Sequence, residues 1–96
     1  GPMLQVQFVD TFEEAIAAAN NTKYGLAAGL ISDNKNLFNQ FVDRINAGVI
    51  NFNSTTTGAS GAFPFGGIGR SGNLRPAGYY AADYCAWPKA SIIKQL

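Results

Sequence analysis

Few side chains in this sequence can carry chemistry, and the types it lacks narrow the choice first. There is no histidine and a single cysteine, Cys85. Without imidazole the usual general base near neutral pH is missing, so no Ser–His or Cys–His relay can be assembled from the chain's own residues. One cysteine excludes an internal disulfide, and with no histidine it excludes the common zinc sites. Cys85 lies in "DYCAWP", among aromatic and apolar neighbours, and reads as a buried structural thiol rather than a nucleophile. What remains is backbone chemistry. The stretch "TGASGAFPFGGIGRSG", residues 57–72, holds six of the eleven glycines.

Within it, "GIGRSG" (Gly67, Gly69, Gly72) has the G-x-G-x-x-G spacing of a dinucleotide-binding loop. That use requires a strand before the motif, a helix after it, and an acidic residue about twenty positions on. Here Pro64 in "FPF" is a poor end for a central strand, Pro76 in "NLRP" stops any helix, and Trp87 stands where the acid belongs. No cofactor-binding residue is therefore expected in the motif. A second use is anion binding, since successive free N–H groups form a concavity that holds a carboxylate or phosphate. "TGASG" suits it, with small residues and the hydroxyls of Thr57 and Ser60. Equally, the glycines can serve only to turn the chain beneath a packed neighbour. Both readings stand on the residues alone.

The elements that would position this loop follow from periodicity. Residues 3–9, "MLQVQFV", alternate with Leu4, Val6 and Phe8 on one face and read as a strand. Thr11 with Glu14 three residues on has capping-box spacing, and Phe12, Ile16 and Ala19 recur as a helix over 12–20. The apolar run 25–32 reads as a buried strand. A second helix follows, capped by Ser32 or Asp33, buried along Leu37/Phe38, Phe41/Val42 and Ile45, and stopped at Gly48. Residues 48–53 give a third strand. The order predicts an α/β fold, a β-α-β-α-β parallel segment followed by a long Gly-rich loop (54–72). Beyond it come helix 77–84 and a C-terminal strand over "KASIIKQL", residues 89–96.

The charged fraction, 14%, is low against about 25% for an ordinary domain, which implies that part of the surface is normally covered. A net charge of +1 without a basic cluster argues against nucleic-acid binding. No apolar run reaches the ~18 residues of a membrane span, so the chain reads as soluble and cytoplasmic, with no membrane partner.

Three stretches carry a family resemblance. "DTFEEAIAAANNTKYGLAAGLIS" resembles the aldehyde dehydrogenase pattern E-A-I-x-x-A-N-x-T-x-Y-G-L-x-A, "AGVINFN" is similar to its next strand, and "PFGGIGRSG" to its P-F-G-G-x-x-x-S-G. They occur in family order and spacing. Most of that superfamily continues with G-R-E-x-G, whereas this chain has "NLRPAGYYAADYCAWPKAS", which resembles the arginine-catabolic branch acting on N-succinylglutamate 5-semialdehyde. The resemblance implies the C-terminal piece of an NAD-dependent enzyme whose nucleophilic cysteine, base glutamate and NAD domain lie upstream of Gly1. It implies no catalytic, cofactor or metal residue in this chain, no NAD bound by the chain alone, and no activity alone.

It further implies that residues 1–76 are the end of the catalytic domain, including a substrate-anchor loop (54–72), and that 77–96 form a tail for homo-oligomerisation. Gly58, Ala59 and Ser60 would bind substrate through their amides and the Ser60 hydroxyl, with Phe63 and Phe65 as apolar wall. The partners implied are the rest of the polypeptide, the semialdehyde and further copies of the chain. Arg70 and Arg75 could pair with a substrate carboxylate or be surface residues. Asp83 has no catalytic role in this reading, and Tyr79, Tyr80, Tyr84 and Trp87 read as core or interface packing. A stand-alone α/β interaction module, with the fold but no catalysis, is the alternative.

Overall fold

The computed structural model describes residues 1–96. Its elements are α1 (Phe12–Asn20), β1 (Tyr24–Gly25), β2 (Ala27–Leu30), α2 (Lys35–Arg44), β3 (Val49–Phe52), β4 (Pro64–Phe65), β5 (Ile68–Gly69), β6 (Ala77–Gly78) and α3 (Ala81–Tyr84). The mixture of helices and strands is α/β, and its centre is the β2-α2-β3 unit. There β2 and β3 run parallel in register, Ala27 opposite Val49 through to Leu30 opposite Phe52. The helices cover one face of this pair with Ile16, Phe41 and Ile45, the three buried residues, and Phe12, Ala28, Leu30, Phe38 and Ile50 pack around them. Phe38 stacks on Phe52 with ring centroids 4.8 Å apart.

Local chemistry sets the helix ends. Thr11 Oγ1 accepts the Glu14 amide at 3.1 Å, while Glu14 Oε2 accepts the Asp10 amide at 2.9 Å, so the expected cap forms with its return bond one residue earlier. For α2 the cap is Asn34, not Ser32 or Asp33. The Ser32 hydroxyl is engaged in holding the Asn34 amide, and Asn34 Oδ1 caps Asn36 at 3.0 Å. The helix ends at Arg44, short of Gly48, because the Asn20 side chain intercepts the backbone. It donates to the Arg44 carbonyl and accepts from the Asn46 amide, both at 2.8 Å. An exposed Arg44–Glu13 ion pair at 3.7 Å also joins the helices and adds little.

Several expected elements take another form. Residues 3–9 are not a strand, and Phe8 is 94% exposed. A strand exists only with a neighbour to accept its hydrogen bonds, and this chain provides none there. The same reason removes the strand over 89–96, where Ile92, Ile93 and Leu96 are exposed. The run 25–32 is divided at Leu26, since Gly25 pairs with Ile68 of β5 while Ala27 onward pairs with β3. The loop 54–72 contains β4 and β5, and helix 77–84 shortens to α3 because Ala77–Gly78 pairs with β4.

Cys85 is exposed rather than buried, and Tyr79, Tyr80, Tyr84 and Trp87 lie outside the core. No helix is long and apolar enough to cross a membrane. The radius of gyration, 18.7 Å, compares with about 12.5 Å for a compact chain of this length. The accessible surface of 8272 Å² exceeds the ~5,300 Å² of a compact monomer of this mass. Both excesses match the expectation of a surface that needs cover.

The turn leaving β3 is held by a side chain. Asn53 has φ 51°, its amide bonds to the Leu30 carbonyl at 2.8 Å, and its carboxamide brackets Ser32, accepting the amide and donating to the carbonyl at 2.8 Å each. This extends the β2–β3 ladder by one imitated rung. Asn53→Ala loses the bracket and places a residue poorly suited to positive φ there, a cost of about 2–3 kcal/mol. Asn53→Gly loses only the bracket, about 1–2 kcal/mol. Urea unfolding should order the midpoints as parent, glycine, alanine.

Candidate functional site

The glycine turn is built by backbone meeting backbone. The amide of Arg70 donates to the Lys23 carbonyl at 2.8 Å, Ser71 to Ile68 at 3.0 Å and Gly72 to Gly69 at 3.3 Å. Ser71 Oγ accepts the Gly25 amide at 3.1 Å, and the Gly25 carbonyl accepts from Gly48 at 3.1 Å. A Cβ on Gly72 would overlap the Gly67 carbonyl oxygen, and one on Gly48 would overlap that of Gly66. These glycines therefore bring the turn onto β1 and the start of β3. With the amides of Arg70, Ser71 and Gly72 engaged inside the chain, "GIGRSG" does not fit a dinucleotide pyrophosphate, whose cradle needs free N–H groups.

The preceding loop is the reverse case. The N–H groups of Gly58, Ala59, Ser60 and Gly61 donate to nothing within the chain, and space around Gly58 and Gly61 is open. Ser60 closes the run with its own turn, its hydroxyl accepting the Ala62 amide at 3.2 Å and its carbonyl the Phe63 amide at 3.2 Å. Phe63 and Phe65 follow on either side of Pro64, 68% and 37% exposed, and Phe65 pairs with Ala77 across β4–β6. The Phe63 carbonyl accepts from Tyr79 at 3.1 Å. Gly58, Ala59, Ser60, Phe63 and Phe65 are all exposed to solvent. Four unpaired amides and the Ser60 hydroxyl are thus available to an acidic group in this segment.

None of those five lines the cleft of about 360 Å³ between Gly48, Pro64, Gly66 and Pro76. Arg75 lines it and Arg70 does not. Its rim carries Leu74 at φ 67°, 97% exposed, a conformation unusual for a branched residue. The Asn73 carboxamide holds this kink by accepting the Arg75 amide at 3.1 Å.

Sequence reasoning missed the asparagines that pin the site. Asn51 of β3 donates from Nδ2 to the Thr55 carbonyl at 2.6 Å and to Thr57 at 3.3 Å, and the two threonine hydroxyls bond each other at 2.7 Å. The signal was "NFN", amides at alternate positions of an otherwise apolar strand.

Comparison with known proteins places this geometry. The sequence profile described as the aldehyde dehydrogenase family matches residues 1–90. A Caulobacter vibrioides protein, N-succinylglutamate 5-semialdehyde dehydrogenase 2, is 62% identical over 91 residues, covering 95% of this chain and 19% of that protein. The chain therefore spans about a fifth of that relative's length. An NAD+ complex of aldehyde dehydrogenase from Bacillus cereus superposes with a TM-score of 0.71 at 40% identity, over 78% of this chain and 15% of that one. Aldehyde dehydrogenase 21 from Physcomitrella patens, in complex with the reaction product succinate, gives 0.70 at 29% identity over 78% and 16%.

The turn yields a contrast between two glycines. Gly72→Ala forces the Gly67 carbonyl to move and should cost about 3 kcal/mol or more. Gly61→Ala, with nothing near its added methyl, should stay within ~0.5 kcal/mol. Thermal unfolding of both variants checks this, and equal losses would contradict the packing described.

Proposed function

Because the chain belongs to the aldehyde dehydrogenase family, we propose that the protein containing it oxidises N-succinylglutamate 5-semialdehyde to N-succinylglutamate, and that this chain holds the acidic end of the substrate. The observation that carries the substrate is the 62% identity to the Caulobacter protein across 95% of the chain. The plant neighbour's complex with succinate supports a site for a dicarboxylate product. The Bacillus neighbour's complex supports NAD as the cofactor, which when bound accepts hydride from the aldehyde carbon. No residue of this chain is assigned to NAD or to bond breaking. Cys85 has no histidine to activate it, so the nucleophile and base are placed in the rest of the polypeptide.

In this reading the carboxylate of the substrate accepts hydrogen bonds from the free amides of residues 58–61 and from the Ser60 hydroxyl. Charge-assisted bonds to a carboxylate are roughly twice as strong as neutral ones, and backbone donors lose little entropy on binding. Phe63 and Phe65 flank the chain carbons and exclude water from them. Holding the far end fixes how deep the aldehyde carbon sits, which is positioning rather than chemistry. Residues 1–76 form the end of the catalytic domain. Residues 77–96 form an oligomerisation tail, and exposed Trp87, Ile92, Ile93 and Leu96 support it. We place the enzyme in the cytoplasm. The stand-alone module is not favoured, since the relatives matching nearly all of this chain are named as enzymes.

Three measurements test this. The isolated chain should show no NAD-dependent turnover of the semialdehyde, and turnover would overturn the division of labour. In the full-length enzyme Ser60→Ala should raise KM for the semialdehyde about tenfold or more, the scale of one hydrogen bond to a charged group. KM for a short aliphatic aldehyde should change less than about twofold by the same scale, and equal changes would remove Ser60 from the anchor. Deleting residues 89–96 should lower the assembly's mass by sedimentation equilibrium. An unchanged mass would take the tail out of the interface.

A further inference from the structure

We propose that Asn51 is a positioning residue for the anchor loop, acting on substrate only through the segment 54–61. The inference rests on the anchor reading given above and adds to it the part that shapes the loop. Asn51 occupies the third position of β3, opposite Gly29 of β2, and is therefore fixed by the parallel ladder. Its Nδ2 reaches two carbonyls two residues apart, Thr55 at 2.6 Å and Thr57 at 3.3 Å. A carboxamide is suited to this, because it presents two N–H donors on one nitrogen, where a carboxylate presents none and a hydroxyl one. Thr56, between the two held residues, lays its methyl carbon 3.5 Å from where a Cβ on Gly29 would stand, so the root of the loop also folds back on β2. The hydroxyls of Thr55 and Thr57 close the clamp at 2.7 Å.

That clamp fixes one end of the run 58–61. The amides of residues 58–61 have no partner in the chain, and their next fixed point is the Ser60 turn leading into β4. On that side Gly78 (φ 67°) brings β6 against the Phe63 carbonyl, which accepts the Tyr79 amide. The free run is thus suspended between Asn51 and the β4–β6 pair. Pinning both ends limits the conformations open to the four unpartnered donors between them. Asn51 itself touches no substrate in this arrangement, and its effect is on KM rather than on the chemical step.

The test uses the full-length enzyme with Asn51→Ala and with Asn51→Val, the latter keeping a strand-favouring side chain while removing the donors. KM for the semialdehyde should rise about five- to tenfold with kcat within about twofold, and a short aliphatic aldehyde should be unaffected. Limited proteolysis within residues 54–61 should quicken, while α1 and α2 stay uncut at the same protease dose. In a Ser60→Ala background, adding Asn51→Ala should cost less than it does alone, as groups acting through one loop do not add. Equal losses for both aldehydes, or unchanged cleavage within 54–61, would overturn the positioning role. A Ser60→Ala enzyme that treats both aldehydes alike would instead count against the Ser60 anchor, and Asn51→Ala would still report whether the loop amides matter.

Discussion

The turn 66–72 meets its neighbours backbone to backbone, at positions where no Cβ can fit. Gly48 lies against the Gly66 carbonyl, Gly72 against that of Gly67, and Gly25 faces the Asn46 carbonyl and the Ile68 side chain. These meetings attach the turn 66–72 to β1 and to the start of β3, and the β1–β5 pair is a consequence of them. Once the turn is attached, β4 ends at a fixed place, and with it the loop that precedes β4. The geometry of residues 57–65 is therefore inherited from contacts several residues away. Side-chain packing supplies little of this, since the three buried residues all sit between the helices and β2–β3.

Where the sheet stops, asparagine side chains continue its work. Asn20 ties the ends of both helices, Asn53 imitates a rung beyond β3, and Asn51 holds the root of the loop. A carboxamide can donate and accept as a peptide group does, so it substitutes for a missing strand neighbour at modest net gain. The modest gain is compatible with the role proposed for the loop, which needs its amides left open. A fully paired backbone over 58–61 would be more rigid and would have no donors left to offer.

Legibility in the sequence followed range. Helix α1, helix α2 with its Phe41 and Ile45 stripe, and the parallel β2–β3 pairing were readable, because periodicity and chain order determine them locally. The strands expected over 3–9 and 89–96 were misread for one reason. Alternation in "MLQVQFV" and "KASIIKQL" records that a residue wants a covered face, but a strand also needs a neighbouring backbone, which these segments lack within the chain. Cys85 failed similarly, since aromatic neighbours in sequence gave it no cover in space. The low charge content, by contrast, did report correctly on a body with much uncovered apolar surface. The asparagine pins were hidden because their partners lie 4 to 26 residues away.

The glycine motif shows why spacing alone does not assign a ligand. G-x-G-x-x-G encodes the absence of three Cβ atoms, and that absence permits close approach of any group, whether a pyrophosphate or another stretch of the same chain. What separates the two uses is the fate of the N–H groups. At Arg70, Ser71 and Gly72 they are consumed by carbonyls of the chain, so the approach is already occupied by protein. At residues 58–61, which match no familiar fingerprint, they are free. The unpaired backbone donors of this chain thus lie a few residues before its most conspicuous motif, whose own amides are spent on contacts within the chain.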